Sequence, residues 1–210
     1  MSIPANEELY LKGNNTGGWT KAPSNYSHFD IKGDVSISGN VMGLLDNGAK
    51  EGEDGDIVNI PSQYCFYSLF NGSTGITSVS KDFLPATTLK INCYFAMFYM
   101  CTSLTKASDL PATTLTEYCY KNMFFGCASL TQAPALPATE LIRYCYQGIF
   151  QGCASLTSVK INYSGTLSAA PSGAFNSWVN GIAEEGIFYY NGSDTPQTFW
   201  FPNDWTKQSF

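Results

Sequence analysis

The chain has 210 residues, of which 44% are apolar and 15% aromatic, so it holds enough apolar material for a packed core. It carries 11 lysines and arginines against 17 aspartates and glutamates, a formal net charge of −6. This balance argues against nucleic-acid binding, which needs a basic surface, and against attraction to anionic membranes. The sequence also lacks a run of about 18 apolar residues, so we expect no membrane insertion.

Residues 1–59 predict a β-rich N-terminal cap or attachment region. Two alternating stretches, Glu8–Lys12 and His28–Ser38, favour short strands on either side of a loop rich in Asn, Gly and Ser. The first residues have neither the basic nor the apolar part of a secretory signal, and we expect none there. The acidic cluster Glu51–Asp56 lacks the twelve-residue calcium-loop pattern, so we interpret it as a solvated turn.

From residue 84 onward, one pattern of 26 residues occurs three times. The copies begin at Leu84, Leu110 and Leu136 and share Leu-Pro-Ala-Thr, then Cys-Tyr, then a Met/Ile-Phe pair, then Cys followed by Ser-Leu-Thr. A looser copy precedes them, with Ser73 in place of the second cysteine. Copies 1 to 4 are residues 60–83, 84–109, 110–135 and 136–161. A fixed period of this length is typical of proteins whose units stack to bury their apolar faces.

The apolar positions of copy 3 have irregular gaps that fit neither an amphipathic helix nor a long strand. Such gaps predict a chain that turns corners around a thin core, with Leu115, Phe124 and Leu130 pointing inward. They also predict that Phe98, Phe124 and Phe150, which are equivalent in successive copies, stack as a ladder.

The end of copy 4 alternates polar and apolar residues, and Leu156–Ile161 therefore predicts a short strand. In the earlier copies Leu-Pro follows this segment and ends it, because proline cannot donate to a ladder. We expect neighbouring copies to pair strand on strand, about 4.8 Å apart. The fold class predicted for residues 60–161 is a repeat solenoid, mainly β with short helical or 3-10 turns.

This repeat resembles the BspA-type leucine-rich repeat, whose usual consensus sequence is Ile-Gly-x-x-Ala-Phe-x-x-Cys-x-x-Leu-x-x-Val-x-Ile-Pro. Cys119 stands at the family's Ile, Met123 and Phe124 at its Ala-Phe, Cys127 at its Cys and Leu130 at its Leu. The period is longer than the family's usual 23 or so, and cysteine replaces the isoleucine. The LPATTL and CYxxMFxGC wording is similar to a variant found in gut Bacteroidetes proteins and their phages. The resemblance implies surface adhesion or host interaction, without fixing a ligand.

Seven cysteines fall on the repeat, and three arrangements are open for them. The first is a disulfide in each copy. The second is a metal site, although the chain has no Cys-x2-Cys and a single histidine. The third, which we favour, is two ladders of buried free thiols, since free cysteine packs as a small hydrophobe.

Residues 162–210 predict a C-terminal cap over the last copy. Phe175, Trp178, Val179 and Ile182 have the spacing of an amphipathic helix at about 174–185, which Gly186 would stop. A strand is expected at 187–190. The aromatic tail that follows, with its tryptophans at 200 and 205, allows a homo-oligomer.

Catalytic chemistry has no clear signal in this sequence. His28 is the only histidine, and no nucleophile with a base and an orienting group is recognisable. The glycines at 72 and 75 are not followed by the lysine of a phosphate loop. We therefore expect no enzyme, no cofactor and no metal.

Two repeated surfaces are candidates for ligand binding. The first is a strip of Tyr94, Tyr120 and Tyr146, each next to an inward cysteine and so expected to face partly outward; alternatively, the rings only cover a corner of each copy. The second is the strand face with Lys106 and Ser108, then Gln132 and Pro134, then Ser158 and Lys160, for which a merely solvated face is the alternative.

These observations favour a non-enzymatic recognition or adhesion module. The resemblance implies a virion decoration or fibre-type protein of a gut bacteriophage, located on the virion and contacting other virion proteins, host glycans or host surface proteins. The alternative is a secreted or surface-anchored adhesin of a gut bacterium, located outside the cell or at its surface.

Overall fold

Regular secondary structure accounts for little of the described part of the chain. The computed structural model describes residues 18–20, 22–24, 26–45 and 59–210, so the strand expected at Glu8–Lys12 and the acidic cluster Glu51–Asp56 lie outside the described residues. The described strands are β1 (Val35–Ile37), β2 (Ile76–Val79), β3 (Ser158–Lys160), β4 (Glu185–Tyr189) and β5 (Asp204–Gln208). Short 3-10 helices lie at Val41–Leu44, Leu167–Ala169 and Pro196–Phe199. None of the described helices is long and apolar enough to cross a bilayer.

The segment around each cysteine pair is a series of turns rather than a helix. In copy 3 every fourth residue has a left-handed backbone, with φ of 59° at Tyr118, 55° at Asn122 and 71° at Gly126. The amides alternate between two uses. That of Lys121 closes a turn onto the Tyr118 carbonyl at 3.2 Å, whereas those of the even-numbered residues 120–126 donate to carbonyls of copy 4. Half of the main-chain donors thus fold the copy, and the other half join it to the next.

The other copies use the same positions. Left-handed residues recur every four residues at Tyr64, Ser68 and Gly72, at Asn92, Ala96 and Met100, and at Tyr144, Gly148 and Gly152. Equivalent residues also bond in sequence along the copies: the Phe70 amide donates to Met97, that of Phe98 to Met123, and that of Phe124 to Ile149, at 2.9 to 3.0 Å. The copies therefore lie side by side in register.

A row of short parallel pairings runs along one face of these copies. β1 pairs with β2, and β3 with β4 and β5, all parallel. Isolated parallel bridges continue the row from Ser78 to Lys106 and from Gln132 to Ser158. The strands predicted at 156–161 and 187–190 are confirmed, as β3 and β4.

The core contains the predicted ladder of phenylalanines. Phe98 stacks on Phe124 at 5.6 Å between ring centroids, and Phe124 stacks on Phe150 at 6.0 Å. The ladder extends toward the N-terminus through Phe70 and Phe29, at 5.4 and 5.7 Å. Leu115 and Leu130 are also buried, as predicted. One continuous core thus runs through copies 1 to 4 and into the flanking residues.

The helix predicted at about 174–185 is wrong. Gly173, Ser177 and Gly181 have φ of 76°, 52° and 75°, the same four-residue spacing as in the copies. The Tyr146 amide donates to Ala174 at 3.2 Å, so Ala174 takes the place that a cysteine has in copy 4. A helix would have used these main-chain groups internally. The apolar spacing misled because a series of four-residue turns also brings apolar residues to one side at intervals of three and four.

The strand predicted over His28–Ser38 is shorter than expected and comprises only β1. The residues before β1 bond to the turns of copy 1 instead: the Phe29 amide donates to the Leu69 carbonyl at 2.7 Å, and the Ser73 hydroxyl donates to the Phe29 carbonyl. Phe29 thereby joins the phenylalanine ladder. Its main chain follows the turn series and does not extend as a strand.

Replacing Ser177 with glycine distinguishes the observed turn from the expected helix. Ser177 is exposed and left-handed, so Ser177→Gly should raise the free energy of unfolding by roughly 0.5–1 kcal/mol through relief of the Cβ clash. Asn176 lies one residue earlier and outside the left-handed region, so Asn176→Gly should instead lower the free energy of unfolding by roughly 0.5–1 kcal/mol. Urea unfolding of both variants gives the comparison. If Ser177→Gly loses as much stability as Asn176→Gly, residues 174–185 form the helix that the sequence predicted.

Candidate binding groove

The tyrosine strip expected on the surface is buried, and that prediction is wrong. Tyr94, Tyr120 and Tyr146 each expose 1% of their surface and stack on one another at 5.9 and 6.0 Å. Phe66 and Phe175 continue the stack at its two ends. The expectation assumed that neighbouring residues alternate in and out. In a four-residue turn, two consecutive residues face inward, so the tyrosine follows its cysteine into the core. It has no surface for a ligand.

Other aromatic rings face outward on the turn side, and the sequence did not single them out. Tyr118 and Tyr144 stack at 5.0 Å, and the Lys121 ammonium lies 5.4 and 5.6 Å from the ring centroids of Tyr118 and Phe95. These rings are partly exposed. Because their faces pack on each other and on the lysine, they offer edges rather than flat platforms.

The strand face forms a groove of about 770 Å³ that contains the predicted residues Lys106, Gln132 and Ser158. Copies 1 to 4 all contribute to its walls, and Tyr189 and Phe210 lie at one end. Lys106 and Gln132 are exposed and Ser158 is half-buried. The structure thus brings together five of the six predicted strand-face residues and separates them from the tyrosines, whereas Ser108 is fully buried, contrary to the prediction.

Charge in the groove is positive although the chain as a whole is acidic. Lys81, Lys106 and Lys160 line it, and Asp109 is the only acidic side chain among the described residues of the lining. Lys81 and Asp109 form an exposed ion pair with a nitrogen-to-oxygen distance of 3.7 Å. Among the described residues the Lys106 side chain forms no ion pair and no cation–π contact, and it is exposed, so its ammonium is available to a ligand.

Phe210 is held in place at the end of the groove. The Lys160 ammonium lies 3.8 Å from the centroid of its ring. The Asn191 side chain accepts from the Phe210 amide at 3.0 Å and donates to the Phe210 carbonyl at 2.9 Å. Half of the Phe210 surface remains exposed, at 50%. The ring therefore gives the groove a fixed apolar end.

The parallel row is interrupted within the groove, between copies 2 and 3. Between copies 1 and 2 the Thr105 amide donates to the Thr77 carbonyl at 2.9 Å, and between copies 3 and 4 the Ala133 amide donates to the Ser158 carbonyl at 3.1 Å. No equivalent bond joins residues 104–109 to 130–135 in the part of the chain that the structure describes. The groups left without these bonds are the amides of Ala107 and Thr131 and the carbonyls of Thr105 and Gln132. All four residues line the groove.

Local sequence explains the interruption. In copy 2 the Ser108 hydroxyl and the Asp109 amide both donate to the Lys81 carbonyl, at 2.8 and 3.0 Å, which ties this segment to copy 1. Copy 3 has Pro134 in place of Ser108, so it has no hydroxyl that could tie it to copy 2 in the same way. It bonds to copy 4 on its other side, and the segments of copies 2 and 3 part between Lys106 and Gln132.

All seven cysteines are free and buried, which confirms the favoured arrangement of reduced thiols. Three of them, Cys101, Cys127 and Cys153, donate to phenylalanine carbonyls of the copy before, at 3.1 to 3.2 Å. Burial raises the pKa of Cys93 and Cys153 to about 12. Such thiols are protonated and unreactive at neutral pH. Within the described residues, no group of histidine, cysteine, aspartate and glutamate is arranged to hold a metal ion.

The raised thiol pKa values predict a loss of stability at alkaline pH. A thiol of the unfolded chain ionises near pH 9, whereas the folded-state pKa of Cys65 and Cys145 is about 12. Between these values the unfolded chain binds fewer protons than the folded one, so stability falls as pH rises above about 9. Urea midpoints at pH 7 and 8 should be nearly level, and those at pH 9 and 10 should be progressively lower. A thiol reagent at pH 8 should find no reactive cysteine before denaturation and seven after it. Three disulfides in non-reduced protein would contradict this.

The buried tyrosine hydroxyls predict an unusual response to mutation. The Tyr146 hydroxyl is buried and has no hydrogen-bond partner among the described residues, and Phe175 occupies the next place in the stack. Tyr146→Phe should therefore leave stability unchanged or raise it by about 1 kcal/mol. Tyr190→Phe is the control, because its hydroxyl donates to the Gly165 carbonyl; it should lose about 1 kcal/mol. Equal losses in urea unfolding would show that the Tyr146 hydroxyl is bonded.

Comparison of the chain with protein-family models, with curated proteins and with solved structures gives no match. The side chains of the groove are lysines, hydroxyls, an amide and one carboxylate, with aromatic rings at one end, and neither histidine nor cysteine lines it. This set can donate and accept hydrogen bonds to a polar ligand.

Proposed function

We propose that this protein is a non-enzymatic recognition module, a solenoid of BspA-type leucine-rich repeats that binds an extended polar ligand in the strand-face groove. The observation that carries the proposal is the convergence of Lys106, Gln132 and Ser158 in one groove of about 770 Å³. Its size lies within the range of small-ligand sites, about 300 to 1,000 Å³. The in-register bonds between successive copies support the repeat architecture.

A glycan is the ligand that this lining favours. Hydroxyl and amide groups of Thr105, Thr131 and Gln132 can pair with sugar hydroxyls, and Phe210 offers an apolar face for a sugar ring. Away from its aromatic end, the described apolar lining of the groove consists of three alanines and a proline. These small side chains give little apolar surface to anchor a large side chain of a protein partner.

The biological setting that we propose is the virion of a gut bacteriophage, where the module would be a decoration or fibre-type protein contacting the host surface or its glycans. The resemblance of the repeat supports this setting. The alternative is an adhesin on the surface of a gut bacterium. Neighbouring genes distinguish the two, because capsid or portal genes favour the virion and a secretion signal upstream favours the adhesin.

Assembly into an oligomer would multiply a weak interaction with a repeated ligand. Of the two tail tryptophans, Trp205 is buried and belongs to the core, whereas Trp200 exposes 52% of its surface. Trp200 is therefore the tail residue that we propose as an oligomer contact. Sedimentation of the parent and of Trp200→Ala would reveal its contribution.

Binding to immobilised mucin glycans tests the proposed function. The double variant Lys106→Ala/Gln132→Ala should lose binding by at least roughly tenfold, since two polar contacts would be removed. The control Lys90→Ala/Thr139→Ala changes exposed residues outside the groove and should bind as the parent does. If the parent does not bind, or if the groove variant binds as well as the control, the proposal is wrong.

A further inference from the structure

The interruption of the parallel row leaves both donors and acceptors on the wall of the groove. Ala107 and Thr131 present amides, and Thr105 and Gln132 present carbonyls, that lack the cross-copy bonds made elsewhere in the row. Main-chain groups of this kind are stabilised by a partner that can both accept and donate hydrogen bonds. A sugar hydroxyl does both, whereas a carboxylate or phosphate oxygen only accepts.

Positive charge lies beside this interruption. Lys106 follows Thr105 directly, and among the described residues its ammonium forms no ion pair and no cation–π contact. Lys81 and Lys160 line the same groove, the first engaged by Asp109 and the second by the ring of Phe210. A ligand that brings a carboxylate would therefore meet Lys106 first, and a charge-assisted hydrogen bond is stronger than a neutral one.

These observations rest on the proposed function and narrow its ligand class. We propose that the groove binds a short oligosaccharide of carboxylated sugars, with hydroxyls on the unpaired main-chain groups of the interruption and a carboxylate on Lys106. The length is limited by charge: the chain has a formal net charge of −6, which repels a long polyanion at a distance.

A protein partner fits the groove less well. An extended peptide cannot enter between copies 2 and 3 as a strand, because main-chain bonds on the turn side hold these copies together. The Tyr94 amide donates to the Cys119 carbonyl at 3.1 Å, and the Phe98 amide donates to the Met123 carbonyl at 2.9 Å. Added strands need a free edge or a full strand spacing of about 4.8 Å on each side. A sugar needs neither.

Calorimetry with two matched tetrasaccharides tests the proposal. The first consists of 1→4-linked uronic acids, and the second is the same compound with its carboxyl groups reduced to alcohols. The acidic compound should bind at least roughly tenfold more tightly than the reduced one, the gain expected of one charge-assisted contact. Lys106→Gln should abolish that difference. Lys90→Gln, an exposed lysine outside the groove, should keep it. Added salt should weaken the binding of the acidic tetrasaccharide more than that of the reduced one.

Each other outcome has a separate meaning. Equal binding of the two tetrasaccharides would overturn the carboxylate proposal and leave the recognition of glycans standing. Binding of a tetraglutamate peptide as tight as that of the uronic acids would show that the groove reads charge alone, and would overturn the sugar proposal. If neither sugar binds while mucin glycans do, the ligand is a different glycan and this inference is wrong. If none of them binds, the proposed function fails as well.

Discussion

Trp178→Ala should lower the free energy of unfolding by about 4 to 6 kcal/mol. Trp178 is fully buried, with its ring centroid 4.8 Å from that of Phe175 and 5.4 Å from that of Phe201. Its indole nitrogen donates to the Phe199 carbonyl at 2.9 Å. Truncation therefore leaves both a cavity and a buried carbonyl without its donor, and the two costs add.

Urea unfolding of Trp178→Ala and of Trp200→Ala provides the measurement. Trp200 exposes 52% of its surface, so its truncation should change stability by no more than about 0.5 kcal/mol. Losses of similar size for the two tryptophans would mean that the C-terminal residues do not pack on copy 4 as described.

Phe124→Ala should cost about 3 to 5 kcal/mol, because the ring is fully buried in the middle of the phenylalanine ladder. It lies between Phe98 at 5.6 Å and Phe150 at 6.0 Å, and both lose a partner when it is removed. A rigid stack cannot collapse around the cavity without moving the hydrogen bonds between copies.

The neighbouring Phe125 is a matched control for Phe124. It has the same side chain in the same turn, but it is only half-buried and stacks on Tyr99 at 4.7 Å. Phe125→Ala should cost about 1 to 2 kcal/mol. Chemical denaturation of both variants gives the two values. A larger loss for Phe125 than for Phe124 would reverse the assignment of inward and outward faces.

The sequence predicts the repeated positions well because equivalent residues in successive copies have to occupy equivalent places. This reasoning places Phe98, Phe124 and Phe150 in one ladder and the seven cysteines in the core. It also places Lys106, Gln132 and Ser158 on one face, and all three line the groove.

The path of the chain within one copy was harder to predict. Alternation placed Tyr120 outside, and helical spacing placed a helix over Trp178. Both errors have one cause, which is that a series of four-residue turns has a period that neither a strand nor a helix shares. The glycines at 126, 152 and 181, with φ of 71°, 76° and 75°, carry the signal that was missed. They recur at the same place relative to the apolar residues of each copy and of the C-terminal segment.

The interruption in the groove could not be read from the repeat, because it arises where the copies differ. Pro134 replaces Ser108 of the preceding copy, and Asp109 bonds backward to Lys81. A consensus sequence of the repeat keeps only what the copies share and omits such differences. The individual residues show which neighbours part, and in this chain they part at the site proposed for the ligand.

Amide hydrogen exchange across the groove tests the geometry on which the binding proposal depends most directly. The amides of Ala107 and Thr131 should exchange quickly, while those of Thr105 and Ala133, which donate to Thr77 and Ser158, should exchange slowly. Addition of the uronic acid tetrasaccharide should slow the first pair and leave the second unchanged. If Ala107 and Thr131 exchange as slowly as their bonded neighbours in the free protein, the parallel row is closed between copies 2 and 3, and the groove does not offer these groups to a ligand.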